Sequence, residues 1–147
     1  MSNELVLQVG VKILLKNESE QFLLLRRSLK KYPDAKGRWD IVGGRVEPGT
    51  TLLENLQREV REETGLEIIG EPRLVAAQDI LRVPGRHIVR LTYTGTARGK
   101  VRLDENENDR YQWCSREELL RLEDVDVYFK ELLANASLLG SGQFFWS

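Results

Sequence analysis

The sequence predicts one mixed α/β domain spanning residues 1–147, and three observations carry that prediction. Apolar residues alternate with period two at the start of the chain and again between His87 and Thr96. One strongly capped amphipathic helix interrupts the β pattern, running from about Thr51 to Thr64. The 147 residues, 41% hydrophobic and 31% charged, suit a single ordinary core. Strands and helices interleave too irregularly for a doubly wound sheet.

The elements follow in order. Leu5, Leu7, Val9, Val11 and Ile13 alternate with Val6, Gln8, Gly10 and Lys12, which predicts a first strand. Asn17-Glu18-Ser19-Glu20 is a polar turn, and Phe22 to Arg26 returns as the second arm of a hairpin. Ser28 to Arg38, broken by Pro33 and Gly37, is a loop, and Trp39 to Val42 is a short strand that stops at Gly43-Gly44. Thr51 with Glu54 forms a capping box at the helix start, and Gly65 ends the helix. Leu66 to Val83 is β structure with a break near Glu71-Pro72, Pro84-Gly85 is a turn, and His87 to Thr96 is a strand. A polar loop over Arg98 to Asp109 precedes a strand around Tyr111 to Cys114. Ser115 and Glu118 box the start of a short helix, and Val127 to Ala136 is the last helix.

Composition removes several function classes. Twenty-two Lys and Arg against 23 Asp and Glu leave a net charge of −1, so no nucleic-acid partner is expected. Cys114 is the only cysteine, which excludes an intrachain disulfide and a thiolate metal cluster. Met1-Ser2-Asn3-Glu4 lacks the basic region of a signal peptide, and no apolar run approaches the roughly 20 residues of a membrane span. A cytoplasmic protein without a membrane partner is expected.

The central helix carries its acids in an unusual place. Projected at 100° per residue from Glu59, Leu52, Leu56, Val60 and Leu53 span about 20° to 120°, and Glu63 falls at about 40°, inside that apolar arc. Glu59 lies at its edge and Glu62 about 60° beyond, while Glu54, Arg58 and Arg61 cluster on the opposite side. Two carboxylates about 5 Å apart repel by roughly 3 kcal/mol at an effective dielectric near 20. The helix C-terminus disfavours each by a further ~0.3–1 kcal/mol. A hard divalent cation would reverse these signs. A solvated face with Glu54–Arg58 and Arg58–Glu62 pairs explains Glu54 and Glu62, but not an acid at position 63.

Gly44-Arg45-Val46-Glu47-Pro48-Gly49-Thr50, then seven residues, then Arg58-Glu59-Val60-Arg61-Glu62-Glu63-Thr64-Gly65-Leu66 resembles the Nudix box, G-x5-E-x7-R-E-U-x-E-E-x-G-U. Every specified position matches except Thr50, which stands where the family has its first Glu. The order of strands is similar too. The resemblance implies the Nudix fold, a mixed sheet with flanking helices in an α/β/α sandwich. It also implies hydrolysis of a nucleoside diphosphate linked to another moiety, with Mg²⁺ or Mn²⁺.

Carried over by position, Glu59 and Glu63 would be the principal metal ligands, and the Gly43 carbonyl would complete the coordination. Glu62 would ligate a further ion or help activate water. Arg58 would orient the glutamates. Glu107 stands six residues before Trp113, where many members place a distal ligand or general base; a merely solvated acidic loop is the competing reading. Thr50 cannot support Arg58 as the family's Glu does, which leaves Glu54 or Glu62 as partners and implies reduced rigidity rather than lost chemistry. Val42 replaces a common Pro before the paired glycines.

Arg26, Arg27, Lys30 and Lys31 place four cations before Trp39; of these, Arg26, Arg27 and Lys31 are candidate substrate-phosphate contacts, against a solvated basic loop. Trp39, Trp113 and Cys114 read as packing residues, and His87 as non-catalytic. Phe144-Phe145-Trp146 should dock on the domain or on a partner subunit of a homodimer. The expected substrate is a nucleoside triphosphate, oxidised ones included, cleaved to monophosphate and pyrophosphate; ADP-ribose or a nucleotide sugar is the next choice. A non-catalytic nucleotide sensor and an RNA-cap hydrolase are the competitors from other classes, the latter disfavoured by near-neutral charge.

Overall fold

The computed structural model describes residues 4–135 and 144–146, whose strands join in one mixed sheet. β1 (Val6–Lys16) is its central strand. It runs parallel to β6 (Arg86–Arg98) along its whole length, from Val6↔Arg86 to Lys16↔Thr96. β5 (Glu67–Ile80) pairs antiparallel with β6 and carries the two-residue β8 (Phe145–Trp146) on its other edge.

The opposite edge of β1 is shared. β2 (Phe22–Arg27) meets it only at Lys16↔Phe22 and then diverges toward β3 (Trp39–Asp40) and β7 (Asn108–Cys114). β4 (Val42–Arg45) takes over that edge, antiparallel to β1, from Gly10↔Arg45 to Ile13↔Val42. Lys12, Leu25, Arg27, Asp40 and Gly43, all at this divergence, line the large cavity of the molecule.

Both faces of β1 and β2 are covered, as alternation requires. Val11, Ile13, Leu15, Leu23 and Leu25 pack toward α1 (Leu52–Thr64), with Leu56 and Val60. Leu14, Leu24 and Ile41 pack the other way, with Leu119 of α2 (Arg116–Arg121) and Phe129 and Leu132 of α3 (Val127–Leu133). Helices therefore flank a mixed sheet, as predicted. Among the described residues no helix is long and apolar enough to cross a membrane.

Four local expectations change. The strand at Trp39 does not stop at the paired glycines; it breaks at Ile41, and β4 runs through both. Gly43 has φ 148°, and a Cβ there would strike the Val11 carbonyl oxygen, so only glycine lets β4 lie this close to β1. The break at Glu71-Pro72 is a register shift inside one strand. Leu52 and Leu53 are 38% and 44% exposed rather than buried; the buried stripe is Asn55, Leu56, Val60 and Thr64. The last helix ends at Leu133, and Ala136, like Met1 to Asn3, lies outside the described residues. Phe145 packs on the α2–α3 side of the sheet, while Trp146 stays 75% exposed.

Candidate active site

Local chemistry positions α1 over the cavity. Thr51 accepts the Glu54 N–H at 3.1 Å, the Glu54 carboxylate accepts the Thr51 N–H at 3.4 Å, and Gly65 closes the helix in the left-handed region. Arg58, Glu59, Glu62 and Glu63 then face a cavity of about 1130 Å³.

Glu63 is the most deeply set of these acids. Its Oε2 accepts the Gly43 N–H at 3.0 Å. Burial raises its pKa, opposed by Lys12 and reinforced by Glu59, to about 7. Glu59, its side chain 16% exposed, is likewise raised, first by burial, against Arg58 and with help from Glu62 and Glu107. Glu62 is the exposed member at 58%.

Arg58 ties the acids together. Its guanidinium lies 3.3 Å from Glu59, 3.4 Å from Glu62 and 3.5 Å from Glu47, and donates to Asn55 Oδ1 at 3.0 Å. Of the two partners anticipated for Arg58, Glu62 makes the contact; Glu54 is held in the capping box. Asn55 and Glu47 were not anticipated. Asn55 Oδ1 also accepts the Glu47 N–H at 3.0 Å, so this buried amide braces the loop and the arginine together. An Asn in the apolar stripe of a helix, where its intrinsic propensity is poor, was the available signal.

Glu107 also reaches the cavity wall. It binds the Lys31 ammonium and accepts the Tyr32 hydroxyl at 2.8 Å, and these donors overcome burial to lower its pKa. Lys31 therefore lines the cavity as the partner of an acid. Arg27 lines it too, 2.9 Å from Asp40. Arg26 does not: strand alternation turns it to the opposite face, 2.7 Å from Asp109 and over the Trp39 ring. Arg45 at the rim is exposed beside Gly44.

The second missed group is a buried charge cluster. Arg90 Nη2 lies 3.0 Å from Asp40 Oδ1 and its Nη1 3.2 Å from Asp126 Oδ2. Asp126 also accepts the Tyr128 and Phe129 N–H groups, capping α3. Burial alone would raise Asp40; Arg90, Lys12 and Arg27 overcome it and hold the carboxyl well below the usual range. Lys12 completes the cluster, 3.3 Å from Asp40.

Divalent metal fits part of this arrangement. Among the described residues no three acidic, histidine or cysteine side chains converge on one point. Two carboxylates, Glu59 and Glu63, do stand beside Gly43 and Gly44, and a Cβ on Gly44 would come within 2.8 Å of the Glu59 carboxylate. Hard oxygen donors, partly desolvated and mutually repelling, suit Mg²⁺ or Mn²⁺.

Comparison with known proteins bears on the domain as a whole. The family model described as the NUDIX domain matches residues 6–135. Nucleoside triphosphatase NudI of Salmonella schwarzengrund (strain CVM19633) is 33% identical over 112 residues, covering 70% of this chain and 79% of that protein. Mouse (Mus musculus) 8-oxo-dGDP phosphatase NUDT18 is 40% identical over 50 residues; the match covers 34% of this chain and spans only 15% of that relative's length. The crystal structure of the MutT protein from Methanosarcina mazei Go1 superposes with a TM-score of 0.75 at 30% identity, covering 90% of this chain and 94% of that one.

Proposed function

The chain belongs to the Nudix hydrolase family, and from that premise we propose that it is a metal-dependent pyrophosphohydrolase converting a nucleoside triphosphate to monophosphate and pyrophosphate. One observation carries the reading: Glu59 and Glu63 are desolvated together on the wall of a nucleotide-sized cavity. Acids so placed are destabilising without a cation and well suited to one.

Glu59, Glu63 and the Gly43 carbonyl would hold Mg²⁺ or Mn²⁺. A bound divalent ion supplies charge neutralisation of the diphosphate and a lowered pKa for the attacking water. Arg58 fixes the carboxylates through its four contacts. Glu62 takes the proton from water: it is exposed to the cavity and, among the described residues, held by Arg58 alone, whereas Glu107 already accepts from two donors. Arg45 and Lys36, exposed on the lining, receive the outer phosphates. The triphosphate assignment draws support from NudI, a relative named for that activity. The setting is the cytoplasm.

The test is product analysis over canonical and oxidised nucleoside triphosphates, ADP-ribose and nucleotide sugars with Mg²⁺, repeated with Glu62→Gln and Glu63→Gln. Monophosphate plus pyrophosphate, lost in both variants, is the expected outcome. Full activity in both variants overturns the site. Preferential cleavage of ADP-ribose moves the substrate, and tight binding without turnover by the wild type makes the chain a sensor.

A further inference from the structure

Lys12 has no role in the mechanism above, yet it lines the cavity. Backbone pairing puts it there: Lys12 and Gly43 are directly opposed in the β1–β4 ladder, and Thr92 holds its other side in the β1–β6 ladder. A residue pinned from both edges has little freedom to leave. Its ammonium, with the side chain 17% exposed, lies 3.3 Å from the Ile41 carbonyl, 3.5 Å from the Gly43 carbonyl and 3.3 Å from Asp40. Its charge is felt by Glu59, Glu63 and Glu107. It thus joins the balanced Asp40 cluster to the unbalanced acids of α1.

We propose that Lys12 is an internal cation that competes with divalent metal for the Gly43 carbonyl and so weakens metal binding in the nucleotide-free protein. The proposal rests on the reading of Glu59 and Glu63 as metal ligands. A fixed ammonium beside the site repels a divalent ion, and the repulsion is strong where water is scarce. A polyphosphate entering the cavity supplies the negative charge that offsets it. Metal occupancy then follows nucleotide occupancy, and the acids are kept from trapping metal alone.

Free Mn²⁺ measured by electron paramagnetic resonance, with nucleotide-free protein at fixed pH, tests this without any activity assay. Lys12→Met removes the charge, Lys12→Gln removes it while keeping a donor for the two carbonyls, and Lys12→Arg keeps it. Asp40 retains Arg90 and Arg27 in all three, and thermal melting confirms folding. Lys12→Met should bind Mn²⁺ about tenfold tighter than wild type, Lys12→Gln should bind tighter than wild type but less tightly than Lys12→Met because it keeps a donor on the carbonyl, and Lys12→Arg should stay within about threefold. A non-hydrolysable nucleoside triphosphate analogue should narrow the gap. Unchanged or weaker binding in Lys12→Met and Lys12→Gln, with Glu63→Gln still abolishing binding, overturns the proposal alone. Mn²⁺ binding indifferent to Glu63→Gln in every background overturns the metal reading, and the proposal with it.

Discussion

Two ends of one cavity bury charge in opposite ways. Around Asp40, each buried group has its counter-charge within the chain: Arg90, Arg27 and Lys12 surround Asp40, and Arg90 also meets Asp126. Asp40 stays ionised far into acid, and Arg90 keeps its charge although burial opposes it. Along α1, burial is not answered in this way, and Glu63 rises to about 7. Desolvation acts at both ends. What differs is whether the compensating cation is built into the fold or, on the proposed function, arrives from outside. A closed cluster fixes positions; an open one stores affinity.

That contrast separates stability from activity, and the largest effect should show it most plainly. Glu63→Gln is expected to lower nucleoside triphosphate turnover by about 10³-fold or more, near 4 kcal/mol of transition-state stabilisation. Thermal stability in chelator should hold or rise, because the variant removes a carboxylate that burial disfavours. Steady-state kinetics beside calorimetry measures both. A fall in stability matching the fall in rate would make Glu63 a structural residue.

Asp40→Asn should act in the reverse sense. It leaves Arg90, Arg27 and Lys12 without their shared carboxylate, and breaking a buried pair costs about 3–5 kcal/mol. A large drop in the urea midpoint is the readout. Loss of less than about 1 kcal/mol would show that Asp126 alone balances the cluster.

The pH response should carry opposite signs at the two ends. Glu63 titrates at about 7 in the folded chain against an ordinary glutamate value of 4.5, so between those values the folded chain holds a proton that the unfolded chain releases. Stability of the metal-free protein therefore falls as pH rises through that window, by about 2–3 kcal/mol. Glu63→Gln should flatten the curve. Asp40 is depressed: its contribution is present above 3.8 and is lost only as pH falls below that value toward its folded pKa. Urea titrations in chelator from about pH 4.5 to 8 decide the first; an unchanged stability across the window would contradict the burial of Glu63.

The two ends were also unequally legible in sequence. The α1 end is written in short spacings, Thr51 to Glu54 and Glu59 to Glu63, where helix geometry alone sets neighbours. Glu63 projects onto the apolar arc, where an empty surface has no use for an acid, although Leu52 and Leu53 are exposed, since periodicity sets the face of a helix and not how deeply each turn is buried. The Asp40 end is assembled from partners 50 residues apart, and Lys12 meets Gly43 across 31. Those contacts depend on which strands pair, and the splitting of the β1 edge between β2 and β4 leaves no mark in local pattern. Arg26 and Arg27 show the same limit: adjacent in sequence, they part to opposite faces of β2.

The smallest expected effects concern how Arg58 is held where Thr50 replaces the family's glutamate. Besides the helix acids Glu59 and Glu62, two groups hold Arg58, the buried amide of Asn55 at 3.0 Å and the exposed carboxylate of Glu47 at 3.5 Å. Removing Asn55 takes a buried acceptor from the half-buried Arg58 guanidinium, which keeps Glu59 at 3.3 Å, and from the Glu47 N–H together, so Asn55→Ala should cost about 1–3 kcal/mol and roughly tenfold in turnover. Glu47, 65% exposed, forms a pair that water and salt screen, so Glu47→Gln should change stability by less than about 1 kcal/mol. If the order were reversed, with Glu47→Gln the more damaging in turnover and Asn55→Ala nearly silent, the charge lost at position 50 would have been replaced by another charge. The geometry favours a different compensation: a neutral buried acceptor, rigid where a surface carboxylate is loose, holds the arginine that holds the acids.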